Sequence, residues 1–150
     1  VPEARVPSIP PIFVDTNVFL RFLTNDVPGQ ADMAEELLRE AAEGGVRLVI
    51  NTMAVAELVW VLESHYRLDR SAVQERALAV VHAEGLDLPE SDIVTEALVD
   101  YVEQGVDFVD AFNAAWMRRN GVEQVATFDA RHFDRLAGVR VRPPGCNGRG

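Results

Sequence analysis

Hydrophobic positions in this chain alternate between short unbroken runs and longer stretches where they recur every three or four residues. The runs at 11–15, 46–50 and 124–128, with shorter ones at 86–89 and 139–141, have the length of strands and predict five of them, the first buried and the last at an edge. Helical spacing fills the gaps. Residues 17–23 put Val18, Phe19, Phe22 and Leu23 on one apolar side, and a second helix runs from Pro28 through Ala31, Ala34, Leu37, Leu38, Ala41 and Ala42 until Gly44-Gly45 stops it. A third is predicted from Met53 to about Tyr66 with Thr52 as its cap, so apolar from Ala54 to Leu62 that it reads as buried on most sides. Asp69-Arg70-Ser71 opens a fourth that closes at Gly85, and Ser91 or Asp92 a fifth that closes at Gly105. The sixth spans 107–120, with Arg118-Arg119 suiting its C-terminal dipole. Strands alternating with helices predict parallel βαβ units and an α/β sandwich.

Four acids interrupt this pattern. Asp15 ends the run Ile12-Phe13-Val14, and in open α/β sheets ligands gather just beyond such strand ends; the plain alternative is a helix cap. Glu57 has Met53, Ala54, Trp60 and Val61 as its helical neighbours, none able to pair with a carboxylate, and it lies too far into the helix to cap. A buried carboxylate without a partner must neutralise, reach a polar cleft or bind a cation. Asp107 and Asp110 stand three apart at a helix start; Asp107 reads as the cap, and Asp110, followed by Ala111, Phe112, Ala114 and Ala115, as inward-facing. Asp129 follows Val125-Ala126-Thr127-Phe128 as Asp15 follows its strand, with Arg131 nearby as an ordinary turn partner.

Composition narrows the chemistry. The formal charge is −10, and all 14 basic residues are arginine, which excludes Schiff-base and P-loop chemistry. Such acidity argues against holding nucleic acid by broad electrostatic attraction, leaving metal ions or a few arginines to handle any such substrate. The single cysteine, Cys146, excludes an internal disulfide or cysteine zinc site, and no run approaches membrane-spanning length, so a soluble cytoplasmic protein is expected. One domain is expected over 11–142, with residues 1–10 as an extended or disordered lead-in and 143–150 as a flexible tail.

If the four carboxylates converge, each close pair repels by roughly 4 kcal/mol at 4 Å under an effective dielectric near 20. An all-oxygen set favours a hard cation, Mg²⁺ or Mn²⁺, which would polarise a phosphate and activate water. His65, His82 and His132 are scattered and do not read as ligands.

In these stretches the chain resembles PIN-domain ribonucleases of the VapC toxin type: 12–17, then Val55-Ala56-Glu57-Leu58, then Asp107-Phe108-Val109-Asp110-Ala111, then Thr127-Phe128-Asp129 with His132-Phe133. The resemblance runs from residue 11 to about 141. It implies a three-layer α/β/α sandwich with a central parallel sheet, and Mg²⁺-dependent cleavage of single-stranded RNA with Asp15, Glu57, Asp110 and Asp129 as metal ligands. Asn17 and Thr127 match supporting positions that orient ligands or water. It further implies a homodimer and a VapB-like antitoxin that covers the cleft. Arg118, Arg119, Arg131 and Arg135 are candidate RNA contacts, with helix end and solvated loop as their plain readings. A receiver domain would need a lysine and a haloacid dehalogenase an Asp where Asn17 stands. A PIN nuclease in RNA processing outside a toxin pair, or a catalytically idle binding module, remain as alternatives.

Overall fold

Helices end within two residues of Gly44-Gly45, Gly105 and Asn120-Gly121, whereas the fourth ends at Val81, short of the expected Gly85. The computed structural model describes residues 8–145, so most of the lead-in, the end of the tail and Cys146 lie outside the described residues. The elements are β1 (Pro11–Phe13), α1 (Thr16–Thr24), α2 (Pro28–Ala42), β2 (Arg47–Val49), α3 (Thr52–Ser64), α4 (Arg70–Val81), β3 (Leu86–Asp87), α5 (Ser91–Glu103), α6 (Phe108–Arg119), β4 (Gln124–Ala126) and β5 (Arg140–Arg142), with a 3₁₀ turn at Phe133–Arg135 that the sequence pattern does not predict. Every strand pairing is parallel, as expected. Among the described residues no helix is long and apolar enough to cross a membrane.

The chain forms two compact units, one comprising residues up to Leu58 with Ala79–Pro89, the other Val59–Leu78 with Glu90 onward. In the first, β1, β2 and β3 form one ladder in that order, with Ile12 opposite Leu48 and Leu48 opposite Leu86. The pairing continues past the strand ends: Val14 N–H donates to Val49 O at 3.0 Å and Ile50 N–H to Asp87 O at 3.0 Å. That extension fixes Val14, and so the start of α1, against β2. β1 is not the buried strand expected: its three residues are exposed, Phe13 at 57%, and burial begins only at Val14. β1 is the end strand of its ladder, and an apolar run does not reveal a strand's rank in a sheet.

Helix α1 buries Thr16, Phe19 and Leu20, a face turned from the expected one, which leaves Phe22 exposed. Helix α2 begins at Pro28 and buries Ala31, Ala34 and Ala41 as its spacing predicts. The missing side chain of Gly85 lets its backbone approach the carbonyl of Ala41 closely. Helix α3 is capped by Asn51, whose Oδ1 accepts from Ala54 N–H at 3.0 Å, rather than by Thr52, which is already helical. It is also less buried than expected: Met53 is 76% exposed and Trp60 66%.

In the second unit β4 and β5 pair with Val125 opposite Val141. Helices α5 and α6 bury Ile93, Val94, Ala97, Leu98 and Tyr101 against Phe108, Ala111, Ala114, Ala115 and Met117, and the alanines among them allow close helix packing. Arg118 ties this pair together, donating to Glu96 at 3.0 Å, Asp100 at 2.9 Å and the carbonyl of Ala137 at 2.9 Å. Arg70 fixes the approach to α6: Nη1 donates to Tyr101 O at 2.8 Å and Val106 O at 2.6 Å, with the guanidinium 4.4 Å over the Tyr101 ring.

The Tyr101 hydroxyl, fully buried, donates to Glu63 in a short bond. Burial, then the Glu63 bond and charge, push this phenol well above the usual tyrosine range. An unfolded tyrosine ionises near pH ~10. The folded pKa is the higher one, so this stabilisation is complete below that pH and is lost as pH rises beyond it. Melting temperature should therefore fall more steeply above pH ~10 in the wild type than in Tyr101→Phe, which has no proton to lose. Parallel slopes in a thermal melt series would contradict the burial of this hydroxyl.

Candidate active site: strand-end and helix-start carboxylates

Asp15 stands at the N-cap position of α1 with extended backbone, yet its side chain makes no capping bond. A cap aspartate that does not cap leaves an exposed carboxylate at the C-terminal end of β1, where α/β sheets gather ligands. The next residue, Thr16, is buried at 2% exposure. Its hydroxyl lies 3.3 Å from both Ala54 O and Glu57 Oε2 and, having one proton, donates to one at a time. Through Thr16, Glu57 is brought to the residue that follows Asp15.

Glu57 is not the buried orphan that its apolar neighbours suggest, but an exposed carboxylate on the α3 face that also shows Met53 and Trp60. Those two neighbours are themselves in solvent. Its exposure removes the argument from burial that the apolar neighbours suggest. What favours a site is its placement beside Thr16, the residue that follows Asp15.

In the second unit Asp107 caps α6 as expected, its Oδ2 accepting from Val109 N–H at 3.2 Å. Asp110, one turn on and half-buried, does not complete a capping box. Its Oδ2 lies 2.8 Å from Nδ1 of His132, a residue that the sequence pattern does not mark as part of a site. The signals available were the short spacing of His132 from Asp129 and the place of His132-Phe133 in the stretch that resembles the PIN family, and neither points at Asp110.

Asp129 takes the form of its plain alternative. Arg131 donates Nε to Oδ1 at 2.9 Å and Nη2 to Oδ2 at 2.7 Å, and its backbone N–H reaches Oδ1 at 3.2 Å. These bonds hold the Asp129 carboxyl well below the usual carboxylate range. Thr127 shapes the turn rather than the carboxylate: its hydroxyl accepts from Asp129 N–H and donates to Asp129 O, both at 3.0 Å. Between them Phe128 is 96% exposed and lies beyond β4, which ends at Ala126.

Asn17 lines a groove between α1 and α2 with Val18, Arg21, Gln30, Met33 and Leu37. Of the arginines considered for RNA, Arg118 is enclosed by Glu96 and Asp100, and Arg119 pairs with Asp92; both serve helix packing. Arg131 is largely exposed although paired, and Arg135 donates to Gly105 O at 3.4 Å.

Asp15 and Glu57 thus belong to the first unit, Asp110 and Asp129 to the second. Within either unit, among the described residues, no group of three or more His, Cys, Asp or Glu is arranged to hold a metal ion. The donors themselves suit a hard cation: all are carboxylate oxygens, and Asp15, Glu57 and Asp110 carry no arginine partner among the described residues.

Comparison with known proteins follows the same residues. A VapC ribonuclease of Aquifex aeolicus (strain VF5) is 25% identical over 130 residues, which covers 87% of this chain and 95% of that protein. Ribonuclease VapC23 of Mycobacterium tuberculosis is 31% identical over 120 residues, 79% of this chain and 92% of its own length. The PIN domain family matches residues 12–139, from the strand that leads into Asp15 to just beyond the turn that holds Asp129. With its parallel strands, alternating helices and an acid after each of two strands, the chain belongs to the PIN domain family, on the branch of the VapC ribonucleases.

Proposed function

We propose that this chain is a divalent-metal-dependent endoribonuclease that cleaves single-stranded RNA, acting as the toxin of a VapBC-type pair. The observation that carries this reading is Asp15, a cap-position carboxylate that does not cap, with Glu57 drawn to its neighbour Thr16. Asp15, Glu57, Asp110 and Asp129 would hold Mg²⁺, or Mn²⁺ in its place. When bound, the cation would polarise the scissile phosphate and lower the pKa of the attacking water.

The chain's own residues divide the remaining work. Asp15 and Glu57 supply charge at the end of β1, Thr16 limits the motion of Glu57, and His132 limits that of Asp110. Asp129 joins by releasing Arg131, an exposed pair that costs little to open. Arg131 is then placed to meet a phosphate oxygen of RNA, a contact the paired Arg118 and Arg119 do not offer. An acidic surface with so few available cations favours recognition by a handful of contacts over broad attraction. Likeness to VapC ribonucleases supports neutralisation by a VapB-like antitoxin; a homodimer working in the cytoplasm completes the proposal.

Purified protein should cut a single-stranded RNA with Mg²⁺, stop with EDTA and recover when Mg²⁺ is restored in excess. Cleavage that persists in EDTA would defeat the metal reading. Binding of RNA without cleavage in Mg²⁺ would instead favour a binding module.

A further inference from the structure

We propose that His132 is a positioning residue that sets the carboxylate of Asp110 for cation binding. This rests on the metal-dependent reading above. His132 Nδ1 and Asp110 Oδ2 are 2.8 Å apart, too close for two acceptors, so Nδ1 carries the ring proton and donates it to the carboxylate. The Asp107 amide lies 3.4 Å from the same nitrogen; it is the longer contact and cannot be satisfied together with the first.

The geometry has two consequences. A carboxylate at the third position of a helix can reach back to the N–H of the capping residue. The His132 bond holds Asp110 away from that arrangement and selects one rotamer. The bond also takes only Oδ2, and no described residue bonds to Oδ1. Asp129 shows the contrast, because there Arg131 occupies both oxygens with a cationic fork. His132 orients a carboxylate and leaves an oxygen to ligate; Arg131 saturates one.

His132 is itself held in place. The residue after it, Phe133, is buried, as is Leu136, and Arg118 secures Ala137 to α6. The imidazole therefore approaches Asp110 from a braced segment, as partners of metal-ligating carboxylates commonly do.

The test is direct Mn²⁺ binding, followed by electron paramagnetic resonance at one fixed pH, with thermal melts of each variant. His132→Ala should weaken Mn²⁺ binding by about 10–100-fold. His132→Asn, whose amide N–H can stand where Nδ1 stands, should stay near wild type. His132→Gln keeps the bulk but shifts the donor, and should weaken binding as Ala does, which covers the case in which His132→Ala folds poorly. In RNA cleavage the same loss should appear as a higher Mg²⁺ requirement with little change in kcat at saturating Mg²⁺. If Asp110→Asn loses Mn²⁺ while His132→Ala and His132→Gln keep it, the positioning role is overturned and the metal reading stands. Equal weakening in the Asn, Gln and Ala variants also overturns it. If wild type binds no Mn²⁺, or Asp110→Asn binds it as wild type does, the metal reading falls and this proposal with it.

Discussion

Replacing Asp15 with Asn should lower RNA cleavage by about 10²–10³-fold while leaving stability near that of the wild type. The two effects separate because of where Asp15 sits. Its side chain makes no capping bond and is exposed, so the isosteric amide removes no contact on which α1 depends. It does remove one unit of negative charge near Glu57, which can only ease repulsion between them. On the activity side, an amide oxygen is a weaker ligand for a hard cation than a carboxylate, and the loss falls where charge develops on phosphate. In energy terms the cleavage defect corresponds to about 3–4 kcal/mol of transition-state stabilisation. Initial rates on a fluorescent single-stranded RNA, with urea denaturation of the same preparations, measure both. An Asp15→Asn variant that cleaves normally would remove Asp15 from the site, and one that is inactive because it unfolds would reassign the residue to structure.

Gly85→Ala should destabilise the chain by about 3 kcal/mol, the sum of two costs. At φ 83° the residue occupies the left-handed region, where a side chain adds about 1–2 kcal/mol. A Cβ here would also stand 2.3 Å from Ala41 O and 2.5 Å from Ala41 C, so the end of α2 or the start of β3 must move. That movement is resisted by the ladder, in which Leu48 N–H donates to Gly85 O at 3.0 Å. Gly44 is a built-in control: it has the same φ of 83° but nothing within 4 Å of the added carbon. Gly44→Ala should therefore cost only the conformational part, about 1 kcal/mol. For a chain of this size, a loss of about 3 kcal/mol corresponds to a fall of roughly 6–12 °C in melting temperature. Equal losses at the two glycines would show that the Ala41 contact relaxes freely.

Punctuation residues made the helices legible. Pro28 at a helix start and Gly44-Gly45 at its end act through local backbone sterics, which one sequence carries in full. Asp107 was legible for the same reason, since capping is a bond between near neighbours. Burial was much less so. Glu57 looked enclosed because Met53 and Trp60 are apolar, but whether an apolar helix face meets another element is decided by distant parts of the chain. Phe13 misled in the same way.

At the candidate site, what could be read was the type and order of the acids, and what could not was their partners. Thr16 touches Glu57 across 41 positions and His132 touches Asp110 across 22, and no periodicity encodes such pairings. Arg131 and Asp129, two apart, were legible as a pair. Arg118 could be read only as a helix-end cation, whereas packing of α5 on α6 makes it a three-way tie.

That tie bears on how this part of the molecule opens. Segment 132–137 is attached to α6 near both ends, by His132 to Asp110 in the first turn and by Ala137 to Arg118 in the last. A strap fastened at two points cannot lift without unfastening the beam beneath it, so fraying of α6 and release of the strap form one cooperative event. Amide protection in the two should then rise and fall together.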